Sequence, residues 1–167
     1  MDPVTFHPIG VIHTPFTDID GMPVQPTAAV GVPGRIDIDP AFAPGLVDVD
    51  GFSHLILLYH LHEIRDAKLS VTPFLDTVPH GIFATRSPAR PNAIGLSVVR
   101  VVAVGTSTID IEDVDMLDGT PLLDIKPYVP AFDDREDARV GWFATRLRRL
   151  PEARSDGRFR GDPPAGR

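Results

Sequence analysis

Ile94-Gly95-Leu96-Ser97-Val98-Val99-Arg100-Val101-Val102-Ala103-Val104-Gly105-Thr106-Ser107-Thr108-Ile109-Asp110-Ile111-Glu112 decides the fold class. Residues 94–104 are rich in valine, whose branched side chain suits a pleated backbone. Residues 108–112 alternate apolar and polar, as a half-buried strand does. Gly105-Thr106-Ser107 between them reads as a hairpin turn. Outward from this hairpin the pattern repeats. Residues 35–39 alternate, residues 122–128 form another strand, and residues 4–12 form a strand candidate that Pro8 demotes to an edge or bulge. The apolar run over 52–62 fits a strand covered on both faces, with a buried helix as the competing reading. The 18 prolines of the chain favour short strands and turns over long helices. The expected fold is all-β, mainly antiparallel and closed into a barrel-like sheet. One C-terminal helix is added: over 133–150 Val140, Phe143, Ala144 and Leu147 share a face, and Pro151 ends it.

At 167 residues the chain can bury one substantial core, and no repeat or linker divides residues 1–150. With no cysteine, disulfides and thiolate metal sites are excluded. No apolar run approaches the roughly 20 residues of a membrane span, and no secretory leader is visible, so a cytoplasmic location is expected. Charge is uneven. Residues 146–167 hold seven arginines against three acids, net +4, leaving nine bases and twenty acids, net −11, over residues 1–145. An acidic body is a poor general platform for a polyanion, and neither DNA nor a membrane is expected as a partner. The arginine-, glycine- and proline-rich stretch 151–167 reads as a basic, flexible tail.

The hairpin is preceded by a polar loop, Gly81-Ile82-Phe83-Ala84-Thr85-Arg86-Ser87-Pro88-Ala89-Arg90-Pro91-Asn92-Ala93. Its prolines stiffen it, and stiff polar loops between apolar strands are where binding groups sit; the plainer alternative is a loop of solvated arginines. His54, His60 and His62 fall on alternate positions and would share one strand face. They read as hydrogen-bonded histidines beside a pocket, not as metal ligands, because no acidic ligand or cysteine sits at matching spacing. The chain has no Gly-x-Gly-x-x-Gly after a strand, no phosphate-binding lysine loop and no nucleophile elbow. No residue stands out as a catalytic base.

Three blocks carry a resemblance. Phe83 to Ser97 is similar to the "FATRSPxRPNPIGxS" core motif of the TsaA-like, or TrmO, family, with Ala93 where the family usually has proline. Phe52-Ser53-His54-Leu55 with His62 resembles its "FSHLxxxxxxxH" strand, and Asp115-Met116-Leu117-Asp118-Gly119-Thr120-Pro121 through Tyr128 its "DxxDGTPxxDIKPY" block. Ile9 to Phe16 also fits, so the resemblance covers roughly residues 4–130.

The resemblance implies a β-barrel methyltransferase that binds S-adenosyl-L-methionine, works as a homodimer and methylates N6 of threonylcarbamoyladenosine in tRNA. It implies a cofactor site built from Gln25, Pro26 and Thr27 (Thr27 replacing the family's glycine), His62, Arg86, Leu117, Asp118, Gly119 and Thr120. Arg86 would hold the cofactor's carboxylate with its planar fork, the alternative being a structural pair with an aspartate such as Asp124. Arg90 and Asn92 would contact substrate or brace the loop; Lys126 and Tyr128 would line the substrate pocket. Residues 63–79 would form a flap. Longer bacterial relatives add a C-terminal domain. If tRNA is the acceptor, the basic tail is the one clustered positive charge here, and truncation after Leu150 would weaken tRNA binding and spare the cofactor; the competing reading is a disordered tail with no role. Two other readings stay open: methylation of a different, small acceptor, and a module that binds S-adenosylmethionine without transfer.

Overall fold

The computed structural model describes residues 2–148, 154–156 and 159. Its strands are β1 (Gly10–His13), β2 (Pro33–Ile38), β3 (His54–His60), β4 (Ser70–Val71), β5 (His80–Gly81), β6 (Ile94–Val104), β7 (Thr108–Glu112) and β8 (Thr120–Pro127). Six of them close into an antiparallel barrel in the order β1-β2-β7-β6-β3-β8, and β8 pairs back onto β1; β4 and β5 form a separate ribbon. The expected β6–β7 hairpin is present, with the Gly105 N–H donating to the Thr108 carbonyl at 2.8 Å.

Alternation sets the inside of the barrel. Ile12, Ile36, Leu55, Leu57, Val99, Ile109, Ile111 and Leu122 all point inward and are at most 1% exposed. Each such burial contributes roughly 1.5–3 kcal/mol. The apolar run of β3 behaves differently from the expectation of two covered faces. Leu55, Leu57 and Tyr59 are buried, whereas Ile56 and Leu58 stay half-buried on the outside. Beside them Ile94 and Leu96 of β6 are 39% and 46% exposed. Register joins them into one strip, with Ile56 opposite Val98 and Leu58 opposite Leu96.

The long C-terminal helix does not form over the described part of 133–150. Instead, a four-residue helix α1 spans Pro130–Asp133 and a 3₁₀ turn spans Gly141–Thr145. The physical cause lies at Gly141, whose φ of +57° is left-handed and interrupts a right-handed helix. Val140 and Leu147 of the expected apolar face are exposed, and Trp142 makes the contact to the loop instead. Trp142 stacks on His80 at 4.4 Å between ring centroids and donates its indole N–H to the Ala84 carbonyl at 2.8 Å. Arg146 and His80 both reach Asp76, whose carboxyl is held down to about 2, first by the Thr77 N–H and then by these two donors.

Of the tail assigned to 151–167, Arg154, Ser155, Asp156 and Phe159 are described, and the remaining residues lie outside the described set. The Ser155 N–H donates to Met22 O and the Gly21 N–H to Ser155 O, both at 2.9 Å. Phe159 is buried against Phe74 at 5.2 Å between ring centroids.

Candidate functional site

Antiparallel closure puts the C-terminal ends of β1, β3 and β7 and the N-terminal ends of β2, β6 and β8 at one mouth of the barrel. The connections 14–32, 61–93 and 113–119 all emerge there, and they carry most of the residues singled out from the sequence.

Arg86 is exposed at this mouth and donates from Nη1 to Gln25 Oε1 at 2.9 Å. That bond joins the polar loop to the turn Pro26–Ala28, which packs beside β6. Asp124 is no partner for Arg86: it pairs with Lys126 at 2.8 Å toward the opposite end of the barrel. Next to Arg86, the Ser87 Oγ is buried and has no hydrogen-bond partner among the described residues. A buried hydroxyl without a partner costs about 1–3 kcal/mol. A forked cation holding one neutral acceptor beside an unsatisfied hydroxyl fits a polar, carboxylate-bearing ligand such as S-adenosylmethionine.

Asp118 and Gly119 form the expected turn, with Gly119 at a φ of +75°. The Asp118 carboxylate accepts from the Thr14 N–H and the His13 Nδ1, each at 3.1 Å, and its N–H donates to Phe16 O. These contacts, led by the Thr14 N–H, hold the carboxyl below the ordinary range. Thr120 is buried and donates to Leu117 O at 2.7 Å. Much of this block's polar capacity therefore fixes β1 to β8. His62 lies just beyond β3, half-buried, 3.7 Å from Glu63; His54 and His60 belong to the outer face of β3.

Arg90 braces the loop, donating to Ile82 O and Thr85 O at 3.3 and 2.9 Å with its guanidinium 6.0 Å from the Phe83 ring centroid. Asn92 is exposed at the mouth. Lys126 and Tyr128 do not join this cluster. Lys126 pairs in register with Ile56, and the Tyr128 N–H donates to His54 O, at the start of β3. The six steps along the strand from Thr120 to Lys126 span roughly 20 Å, so within one chain these two lie toward the far end.

One group at the mouth escaped the sequence reading. Tyr59 OH lies 2.9 Å from Ser97 Oγ, which donates to Asp115 Oδ1 at 2.6 Å. Enclosure pushes the Asp115 carboxyl up to about 7, against the lowering effects of Ser97 and Arg86. The Tyr59 ring packs against Gly95, where a Cβ would come within 2.1 Å of it. No local spacing announces this chain, because its members sit on β3, β6 and the segment after β7.

Comparison with known proteins agrees with this geometry. The tRNA-methyltransferase O N-terminal domain matches residues 11–134. A Pyrococcus abyssi protein described as "Probable S-adenosyl-L-methionine-binding protein" is 50% identical over 156 residues, covering 93% of this chain and 85% of its own. The human tRNA (adenine(37)-N6)-methyltransferase is 34% identical over 141 residues, covering 78% of this chain and 31% of its own. The crystal structure of TrmO from Pseudomonas aeruginosa superposes with a TM-score of 0.71 at 36% identity, over 84% of this chain and 63% of that one. This chain thus spans less than two thirds of that solved protein. A six-stranded antiparallel barrel, the Arg86 loop and the Asp118-Gly119 turn in this order place the chain in the tRNA-methyltransferase O N-terminal domain family.

Proposed function

We propose that this protein transfers the methyl group of S-adenosyl-L-methionine to tRNA, at N6 of threonylcarbamoyladenosine. The observation that carries the reading is the exposed Arg86 guanidinium, held by Gln25, next in sequence to the unpartnered Ser87 hydroxyl at the mouth of a barrel of this family. When bound, S-adenosylmethionine supplies an electrophilic methyl on a sulfonium. Arg86 would hold its carboxylate, with Gln25 setting the guanidinium plane and Pro26 and Thr27 walling that side. His62, Leu117, Asp118, Gly119 and Thr120 would border the nucleoside end. Arg90 would act by holding the loop in shape and Asn92 by meeting the acceptor. Methyl transfer of this kind is governed by alignment and charge balance.

Isothermal calorimetry tests the cofactor half. Arg86→Ala is expected to weaken S-adenosylmethionine binding by about 1.5–3 kcal/mol, the worth of a charged hydrogen bond. An unchanged affinity in the folded variant would remove Arg86 from the site. Nucleoside mass spectrometry of tRNA incubated with the protein and cofactor tests the acceptor half. Binding with no S-adenosylhomocysteine formed on any RNA would favour the non-catalytic reading, which the acidic body of net −11 keeps in play.

The same proposal includes a cytoplasmic homodimer. The outer strip of Ile56, Leu58, Ile94, Leu96 and Val98 is a continuous apolar surface of the sort a second copy covers. Lys126 borders this strip across from Ile56, so Lys126 and Tyr128 would reach substrate from the partner subunit. Leu96→Glu is expected to give a monomer in light scattering while the far-ultraviolet circular dichroism of the barrel persists; a dimer that survives the change would place the interface elsewhere.

A further inference from the structure

The chain Tyr59–Ser97–Asp115 has a direction that decides its use. Ser97 has one hydroxyl proton, and at 2.6 Å it goes to Asp115 Oδ1. Tyr59 must then be the donor in its 2.9 Å contact with Ser97 Oγ. Tyr59 and Ser97 are 5% and 1% exposed, so the chain dead-ends in the core. It carries no proton to solvent; it fixes one oxygen of Asp115. Asp115 itself is half-buried and stands at the mouth, beside Arg86. The titratable or charged groups that act on it among the described residues are Tyr59 from β3 and Arg86 from the polar loop.

Resting on the methyltransferase reading above, we infer that Asp115 is the proton acceptor of the reaction, with Ser97 and Tyr59 as its positioning residues. A carbamoyl-type N–H nitrogen is a weak nucleophile because its lone pair is delocalised. As the nitrogen forms its bond to the methyl carbon, the C–S bond breaks and its electron pair stays on sulfur as a neutral thioether. The N–H proton passes to the Asp115 carboxylate, and the charge of the nitrogen returns to zero. A base works best when its pKa lies near the working pH, and enclosure brings the Asp115 carboxyl to about 7. Arg86 close by would then serve two ends: it holds the ligand and keeps enough of Asp115 ionised to accept.

The test uses single-turnover methylation of tRNA across pH 5.5–9, alongside calorimetry with S-adenosylmethionine and carbon-13 NMR of labelled aspartate carboxyls. In the wild type the rate should rise with pH through the same midpoint as the Asp115 resonance, which is assigned by its loss in Asp115→Asn. Asp115→Asn should bind the cofactor within a few-fold of wild type yet transfer methyl roughly 100-fold more slowly or worse, with a flat pH profile. Asp115→Glu should recover part of the rate. Ser97→Ala removes a donor that stabilises the carboxylate, so it should move the carboxyl midpoint and the rate midpoint upward together. Wild-type turnover with an equally active Asp115→Asn, or midpoints that move independently, would overturn this inference and leave the methyltransferase reading standing. Wild-type protein that binds the cofactor but methylates no RNA would overturn that reading, and this inference with it.

Discussion

A single methyl group added at position 95 is expected to cost the barrel about 1–3 kcal/mol or more of stability, the usual range for overpacking a filled core. Gly95 lies opposite Tyr59 in the β3–β6 register. A Cβ there would sit 2.1–2.7 Å from three atoms of the Tyr59 ring. Neither side can give: the ring is 5% exposed, its hydroxyl is tied to Ser97, and β3 is hydrogen-bonded on both edges. Urea unfolding of Gly95→Ala measures the loss. Tyr59→Leu should cost stability alone but partly rescue Gly95→Ala, giving a coupling of about 0.5–3 kcal/mol. Additive losses would mean that the close approach is not the cause.

Trimming Phe159 is expected to have the larger local effect and to reach the cofactor. Phe159 packs with Val71, Ile82 and Ala89 in a small second cluster, edge-on to Phe74. Losing a buried aromatic ring costs about 3–5 kcal/mol. The same stretch holds the 19–23 loop through Ser155, three residues before Gln25 meets Arg86. Truncation after Leu150 removes these contacts as well, so it would reach S-adenosylmethionine binding and not RNA alone. Phe159→Ala should speed hydrogen exchange in residues 70–90 and weaken cofactor binding; if the ordered loop falls to a tenth of the population, apparent affinity falls about tenfold. Cofactor affinity equal to wild type in a variant with demonstrably faster exchange in residues 70–90 would return the tail to the RNA-only role.

What could be read beforehand follows a physical line. β6 and β7 were legible to the residue, because a valine run and a clean alternation sit on either side of a three-residue turn. β3 was legible as a strand but not in its faces, since Ile56 and Leu58 look as apolar as Leu55 and Leu57; only register shows which pair is outside. The segment 133–150 misled because Phe143 and Leu147 are spaced for a helix while Gly141 adopts a left-handed backbone. Arg86, Asp118 and Gly119 were legible as motif residues. Asp115 was written in the same block, yet its partner Ser97 lies 18 residues earlier and Tyr59 a further 38. A carboxyl's usefulness as a base depends on such distant neighbours, which spacing along the chain cannot report. Lys126 illustrates the converse: it shares a motif with Asp118, and a strand carries it to the other end of the barrel.

The seam between β1 and β8 joins residues near the two ends of the core, with Gly10 opposite Leu122 and Ile12 opposite Thr120. Contacts so far apart in the chain are slow to form, because the entropy of the intervening loop must be overcome first. The mouth is completed by that seam, where His13 and Thr14 reach Asp118 across more than a hundred residues. A half-folded chain, with its central hairpin already made, therefore has no place for a ligand. Cofactor can only recognise the finished ring, so it would lengthen the lifetime of the native protein by slowing its opening and do nothing to hasten its making.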